Sequence, residues 1–562
     1  MKQRRTMQQP AGCGKVTAIP IVSKLAETPL TPLYMKANSL IAAAMFIVLG
    51  GSSPIHAQTP SKPILDSTSF APLIDSFATT DDGKFPAIID SHSIPGWMQK
   101  NVPLFECPVA HLQEIYYFRW YSYLKHIEKT PDGYVITEFL PQVRWAGKDN
   151  TISCAAGHHI YEGRWIRDPE YLDDYSRFWF RHGGAPRSYS FWAADAVWAR
   201  YLATGNSAVA LDLLPDLVKN YEGWEKTNYN ESAHLFWQID DRDGMEWSLS
   251  GNGFRPSINS YMYGDAMAIS QIAKLAGNST LSQEYAAKAD ALKKQVEQSL
   301  WNPADQFFET LSPTANAWKP KGRPPYVFTV GPDSKLRPVR EQIGFVPWYF
   351  NLPDATGGYE AAWKQLMDPQ GFSAPFGPTS VERRNPQFMA PHRHDCLWNG
   401  PAWPFATTQT LVAMANLLDN YSQNVVSKDD YLTLLTGYAN SQYRNGKPWV
   451  AEDLDGLTGK WIVDLPRSVY YNHSGYADLI ITGLVGLRPR ADDEVDIRPL
   501  APVSWDYFCL QDVPYHGHLL TILFDKTGQH YHQGIGLRVL SDGREFIHAD
   551  TLRNVTGTLP KN

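Results

Sequence analysis

Cysteine is scarce in this chain. Only five occur in 562 residues, and the four that follow Ala57 (Cys107, Cys154, Cys396 and Cys509) are widely scattered. That spacing excludes a CxxC metal or redox motif and a disulfide-stapled scaffold, so buried free thiols are the expectation. Basic residues do not exceed acidic ones: 51 Lys and Arg face 58 Asp and Glu, a net charge of −7. With no long basic run either, nucleic acid is excluded as a partner. A Gly-rich phosphate loop and a G-x-S-x-G elbow are both absent, which argues against nucleotide and serine-hydrolase chemistry. Beyond residue 57 no apolar run is long enough to cross a bilayer.

One shorter apolar run does occur, at residues 39–50, preceded by Lys36 and followed by Ser52-Ser53-Pro54-Ile55-His56-Ala57. About a dozen apolar residues ending at a small one read as an export signal cleaved after Ala57, which predicts a secreted or periplasmic protein. Met35 begins a conventional signal of this kind, so residues 1–34 are expected to lie ahead of the true start. No Cys stands where a lipid anchor would need one.

The length predicts one large domain and a smaller one. Residues 58–109 are Pro- and Ser-rich and read as an irregular arm. From 110 to 489 apolar residues recur at three- and four-residue spacing, predicting helices at 111–127, 170–180, 188–204, 208–224, 257–277, 280–300, 358–367, 404–421, 428–443 and 472–487. Long polar, aromatic loops at 144–168, 227–256, 371–403 and 444–471 separate alternate pairs. Helical hairpins with elaborate loops toward one side predict an (α/α)6 toroid whose loops roof a central cup. Residues 490–562 change character: β-favouring clusters at 495–500, 519–524, 534–539 and 545–548 predict a small antiparallel β-domain, and a hairpin is expected near 134–139.

Aromatic residues are abundant: 19 Trp, 29 Tyr and 24 Phe. Most must be core, yet many adjoin Arg, Asp, Asn or Gly, a mixture that suits a carbohydrate-facing cleft. Two acidic loops stand out. In Asp240-Asp241-Arg242-Asp243-Gly244-Met245-Glu246-Trp247, carboxylates crowd a Gly turn beside an indole. In the second, Trp449 and Trp461 bracket Glu452-Asp453-Leu454-Asp455-Gly456. A carboxyl pair in which one member holds a proton and the other is ionised performs glycoside hydrolysis. Each loop has a plainer reading, the first as an acidic, solvated turn and the second as a turn whose Asp side chains cap backbone N–H groups, with a calcium loop a weaker third option for the second. The indoles of Trp398 and Trp403, in Trp398-Asn399-Gly400-Pro401-Ala402-Trp403-Pro404, could face a sugar or merely pack, and so could Trp192 and Asp195 in Phe191-Trp192-Ala193-Ala194-Asp195. His158-His159 and Arg393-His394-Asp395 invite a metal reading, but no third fixed ligand is apparent and no metal or cofactor is expected.

In these motifs the chain resembles the six-hairpin glycosidases, the group containing trehalases, processing α-glucosidase I and mannosylglycerate hydrolase. Trehalases carry a Glu-Ser-Gly-Trp-Asp-type motif ending in the catalytic acid, and Arg242-Asp243-Gly244-Met245-Glu246 occupies that pattern with Glu in place of Asp. The resemblance implies Glu246 as general acid, with Asp243 as the rival. It implies Glu452 as the base, and an inverting, exo-acting hydrolase of an oligosaccharide or glycoside. Trp192, Asp195, Asp243, Trp247, Trp398 and Trp461 would hold the sugar. Tyr471-Asn472-His473-Ser474 and the 483–489 segment are similar to secreted bacterial proteins with a mannosylglycerate-hydrolase-like domain. Two alternatives stay open: a polysaccharide lyase using Tyr470, Tyr471 or His473, and a sugar-binding relative without catalysis.

Overall fold

The computed structural model describes residues 63–561, apart from 82, 314–329 and 332. The expected export signal lies outside these residues. Among the described residues twelve α-helices run α1 (Ala71–Thr80), α2 (Ile94–Asn101), α3 (Ala110–Lys125), α4 (Ala156–Gly163), α5 (Glu170–Arg181), α6 (Ala193–Thr204), α7 (Ala208–Asn228), α8 (Pro256–Leu275), α9 (Ser279–Ser299), α10 (Val346–Tyr349), α11 (Pro404–Asn420) and α12 (Lys428–Ser441). A 3-10 segment, Tyr359–Gln365, lies between α10 and α11, and a π-helical segment, Leu479–Leu484, follows α12.

From α3 onward these elements alternate between two layers. The inner set is α4, α6, α8, α10, α11 and the π segment; α4 packs on α6, α6 on α8, α8 on α10, α10 on α11, and α11 on the π segment. The outer set is α3, α5, α7, α9, the 3-10 segment and α12. Sequence decides the layer. α8 buries 16 of its 20 residues, including polar Ser257, Asn259, Ser260 and Asp265. α9 buries only Tyr285, Ala289, Leu292 and Val296, the narrow stripe of a helix with one wet face.

Glu162 at the end of α4 closes the inner ring. Its carboxylate accepts from the backbone N–H of Tyr476 (3.0 Å), Ala477 (2.8 Å) and Asp478 (2.9 Å), satisfying the first amides of the last inner helix. Asp478 in turn accepts from Arg164 and from the indole of Trp165 (2.7 Å). On the outside α12 packs against α3. Six inner and six outer elements thus form the expected (α/α)6 toroid.

Three expectations need correction. The arm is not irregular: α1 and α2 lie within it, and Leu104–Glu106 is a strand. Pro72 and Pro95 occupy the first turn of their helices, where a missing N–H costs nothing. The loop expected over 144–168 contains α4. The last helix does not begin at 472, because the N–H groups of Tyr476, Ala477 and Asp478, which such a helix would turn to the carbonyls of residues 472–474, donate to Glu162 instead.

The chain ends in antiparallel sheet. A five-stranded sheet is ordered Leu104–Glu106, Tyr507–Tyr515, His518–Asp525, Gly536–Ser541, Arg544–Ala549, with Phe105 opposite Leu510. A second sheet joins Leu487–Arg488, Glu494–Ile497 and Val555–Thr558. The arm therefore contributes a strand to the β-domain. The expected early hairpin is present, pairing Ile127–Thr130 with Gly133–Ile136. All four cysteines among the described residues are free, and no helix there is long and apolar enough to cross a membrane.

Candidate active site

A cavity of about 490 Å³ is lined by loops from five stretches of sequence, including Glu138, Cys154, Tyr189, Glu246, Trp398, Glu452, Arg467 and His473. Its volume is that of a small-ligand site. The two carboxyls singled out in the sequence, 206 positions apart, line it together.

The first acidic loop folds as a single 3-10 turn, Asp240–Asp243, ended by Gly244. Gly244 has φ of +70°, and a Cβ there would lie 2.3 Å from Cys154 Sγ, so only glycine fits. The turn separates its acids. Asp243 points inward to a wholly buried ion pair with Arg255 Nε at 2.8 Å, and also accepts from Ser257. It does not line the cavity, where both of its expected roles, rival acid and sugar ligand, would place it. Arg255 also donates to Ser248 Oγ (3.0 Å) and to Gly251 O, so this pair pins the loop from within. Arg255→Met is expected to destabilise the protein by roughly 3–5 kcal/mol, the cost of stranding a buried carboxylate. A lowered urea midpoint would register it.

Glu246 follows the turn and does line the cavity. Burial, helped by the charges of Asp241, Asp240 and Glu452, pushes its carboxyl up to about 7. The next residue, Trp247, holds φ at +60°, a strained value for a bulky side chain. Its ring is 51% exposed and stacks on His392 at 3.7 Å, outside the cavity lining. Trp398 N donates to Glu246 O at 3.1 Å, tying the two loops together.

Glu452 sits in a loop folded back on itself. Its N–H donates to Val463 O (3.2 Å), and the Leu454 backbone exchanges both hydrogen bonds with Ala402. The plainer reading holds for its neighbours: Asp453 and Asp455 accept from the N–H of Val463 (3.0 Å) and Leu457 (2.9 Å). Glu452, 2% exposed, is treated differently. Arg467 Nε pairs with Oε1 at 2.9 Å, Ser468 Oγ donates to the same oxygen at 2.6 Å, and Cys396 Sγ approaches Oε2 at 3.4 Å. A guanidinium and a hydroxyl thus meet at one carboxylate oxygen.

The expected sugar-holding residues divide. Trp398 lines the cavity, stacked on Trp403 at 4.5 Å and 7°. Trp192 does not: it is fully buried, its indole so close to α4 that a Cβ on Gly157 would fall 2.2 Å from it. Asp195 faces a neighbouring helix and accepts from Tyr161 Oη at 2.5 Å. Trp461 spends its indole N–H on Tyr443 O (3.0 Å), bracing the Glu452 loop. The lyase candidates Tyr471 and His473 line the cavity, while Tyr470 does not. His159, read as a possible ligand, is engaged by Tyr175 Oη and Asn472 O.

Sequence reasoning missed Glu138, Arg467 and Cys396. Glu138 follows an ordinary hairpin with no motif around it. Arg467 could have been suspected from its place in the loop shared with Glu452.

A ring of helical hairpins around a carboxyl-lined cup, followed by a β-domain, is a fold of the (α/α)6 class. Residues 148–474, more than half of the chain, match the model of the mannosylglycerate hydrolase MGH1-like glycoside hydrolase domain, and residues 487–548 that of the glycosyl hydrolase family 65 C-terminal domain. The chain belongs to the MGH1-like glycoside hydrolase family. A solved structure named "Sialidase" is similar at 47% identity and a TM-score of 0.82, over 88% of this chain and 44% of that one. The chain thus spans under half the length of that relative. The GH78 family rhamnosidase of Bacillus sp. GL1 shares the fold at 13% identity and a TM-score of 0.50, over 78% and 41% of the two chains. The GH63 mannosylglycerate hydrolase from Thermus thermophilus in complex with glucose is 14% identical, with a TM-score of 0.44 over 61% of this chain and 95% of that one.

Proposed function

We propose that the protein is an inverting, exo-acting glycoside hydrolase in which Glu246 protonates the leaving oxygen and Glu452 activates the attacking water. One observation carries the reading: two carboxyls line one cavity in opposite electrostatic settings. Glu246 is desolvated among like charges and keeps its proton to near neutrality. Glu452 is matched to a guanidinium and a hydroxyl. The desolvated carboxyl suits the acid and the cation-paired one the base, and single displacement is what the family resemblance implies. A cavity of this size has room for a terminal sugar and its neighbour, which supports exo cleavage.

A lyase acting on a uronate would need free cationic groups beside its base. Of the three arginines that line the cavity, Arg467 is engaged with Glu452 and Arg242 lies beside Asp241, and the Tyr471 hydroxyl donates to Glu138. Hydrolysis is therefore favoured. We also propose export to the periplasm or medium, on the strength of the apolar run at 39–50 and the small-residue site at Ala57.

The proton on Glu246 sets the alkaline limit. A raised carboxyl is loaded below its shifted value and empties above it, so kcat/KM should hold below pH 7 and fall as pH rises through about 7. Asp241→Asn removes a charge that favours the proton, and should move this limb to lower pH. A pH–rate profile of both proteins on an alkyl glycoside checks the sign; a limb that stays put, or moves up, rejects Glu246 as the acid.

A further inference from the structure

We propose that Glu138 is a specificity-determining residue of this site: a carboxylic acid whose Oε2 donates a hydrogen bond to a hydroxyl of a neutral terminal sugar. The proposal rests on the glycosidase reading above and deepens it.

Glu138 is one of five carboxyls lining the cavity, and its position is built rather than incidental. Asn472 clamps the segment, its N–H donating to Glu138 O (3.0 Å) and its side chain to Thr137 O (3.2 Å). Tyr471 Oη donates to Oε1, and its ring packs on Phe139 at 4.6 Å. The side chain is 4% exposed, lines the cavity beside Glu246 and Glu452, and has no cationic partner among the described residues. Its Oε2 has no hydrogen-bond partner there at all. A buried polar atom is rarely left unmatched, and in a substrate site the missing partner is the ligand.

The chemistry of that ligand follows from where the proton sits. Burial, with the charges of Glu452 and Glu246, pushes the carboxyl up to about 8. Because Tyr471 donates to Oε1, that oxygen is the acceptor and Oε2 carries the hydrogen. Oε2 is thus a donor, and the partner it would take is a sugar hydroxyl or ring oxygen. An anionic sugar is disfavoured. Five carboxyl side chains line the cavity against three arginines, and of these Arg467 answers Glu452 and lies 3.8 Å from Asp395, while Arg242 lies 3.4 Å from Asp241. Charge placed against like charge is a strong basis for rejection.

The test uses wild type, Glu138→Gln and Glu138→Leu. Gln keeps an oxygen for Tyr471 and an N–H for the sugar; Leu keeps only the volume. The probes are 4-nitrophenyl glycosides of neutral pentoses and hexoses, the glucuronide, the galacturonide and a sialoside. Binding of the corresponding free sugars, followed by indole fluorescence, runs in parallel. Neutral sugars should be bound and cleaved in preference to the acidic ones. Glu138→Gln should stay within roughly tenfold of wild type, while Glu138→Leu should raise KM and weaken binding by roughly a hundredfold, the effect of stripping a site of a buried sugar-binding hydrogen bond. Preference for an acidic sugar overturns the proposal. So does a Leu variant equal to wild type, a Gln variant as poor as Leu (a carboxylate would then be required), or a wild type that binds no sugar of the panel. Binding that depends on Glu138 without any hydrolysis would instead refute the glycosidase reading and leave the role of Glu138 intact.

Discussion

Glu246→Gln is expected to lower kcat/KM on alkyl and disaccharide substrates by roughly a thousandfold or more, the contribution of a positioned general acid. That corresponds to about 4 kcal/mol of transition-state stabilisation. The substitution preserves volume and leaves the backbone tie from Trp398 N to Glu246 O untouched, so the fold should survive. The leaving group provides an internal control. A 2,4-dinitrophenolate departs without a proton, and on such a glycoside the variant should fall by less than roughly tenfold. Near-normal activity on alkyl glycosides would move the acid elsewhere, and Asp243, tied to Arg255 and Ser257, is not available to replace it.

Glu452→Gln should behave differently. Water must be activated whatever the leaving group, so alkyl and dinitrophenyl glycosides should both lose roughly a thousandfold or more in kcat. KM should change little, because the amide oxygen still accepts from Ser468 and the cavity keeps its shape. A variant that loses only the alkyl substrates would be an acid, not a base, and would reverse the assignment. Steady-state kinetics on a matched pair of glycosides, with both variants side by side, separates these outcomes.

Much of this site was legible in the sequence, because acids beside indoles on long loops between amphipathic helices carry both a fold and a chemistry. Which acid lines the cavity was not legible. Asp243 and Glu246 differ by three positions, and the choice is made by Gly244 at positive φ and by Arg255, twelve positions on from Asp243, drawing that carboxylate into the interior. Trp192 looked like a sugar platform by composition alone. Its burial depends on Gly157, on another helix, leaving room for the indole. Glu138 carried no signal, since its role comes from a partner, Tyr471, 333 positions away. The arm helices were hidden by composition: Pro72 and Pro95 read as breakers but occupy first turns. Local patterning thus reported the elements, while the contacts that orient each carboxyl are long-range.

The proposed inverting reading commits the protein to single displacement, with water delivered by Glu452 as Glu246 protonates the departing oxygen. Proton NMR of the first-formed anomer, recorded before mutarotation on any glycoside the wild type cleaves, tests that commitment directly. The account predicts a product of inverted anomeric configuration. A retained anomer would mean that Glu452 attacks the sugar itself, and would contradict it.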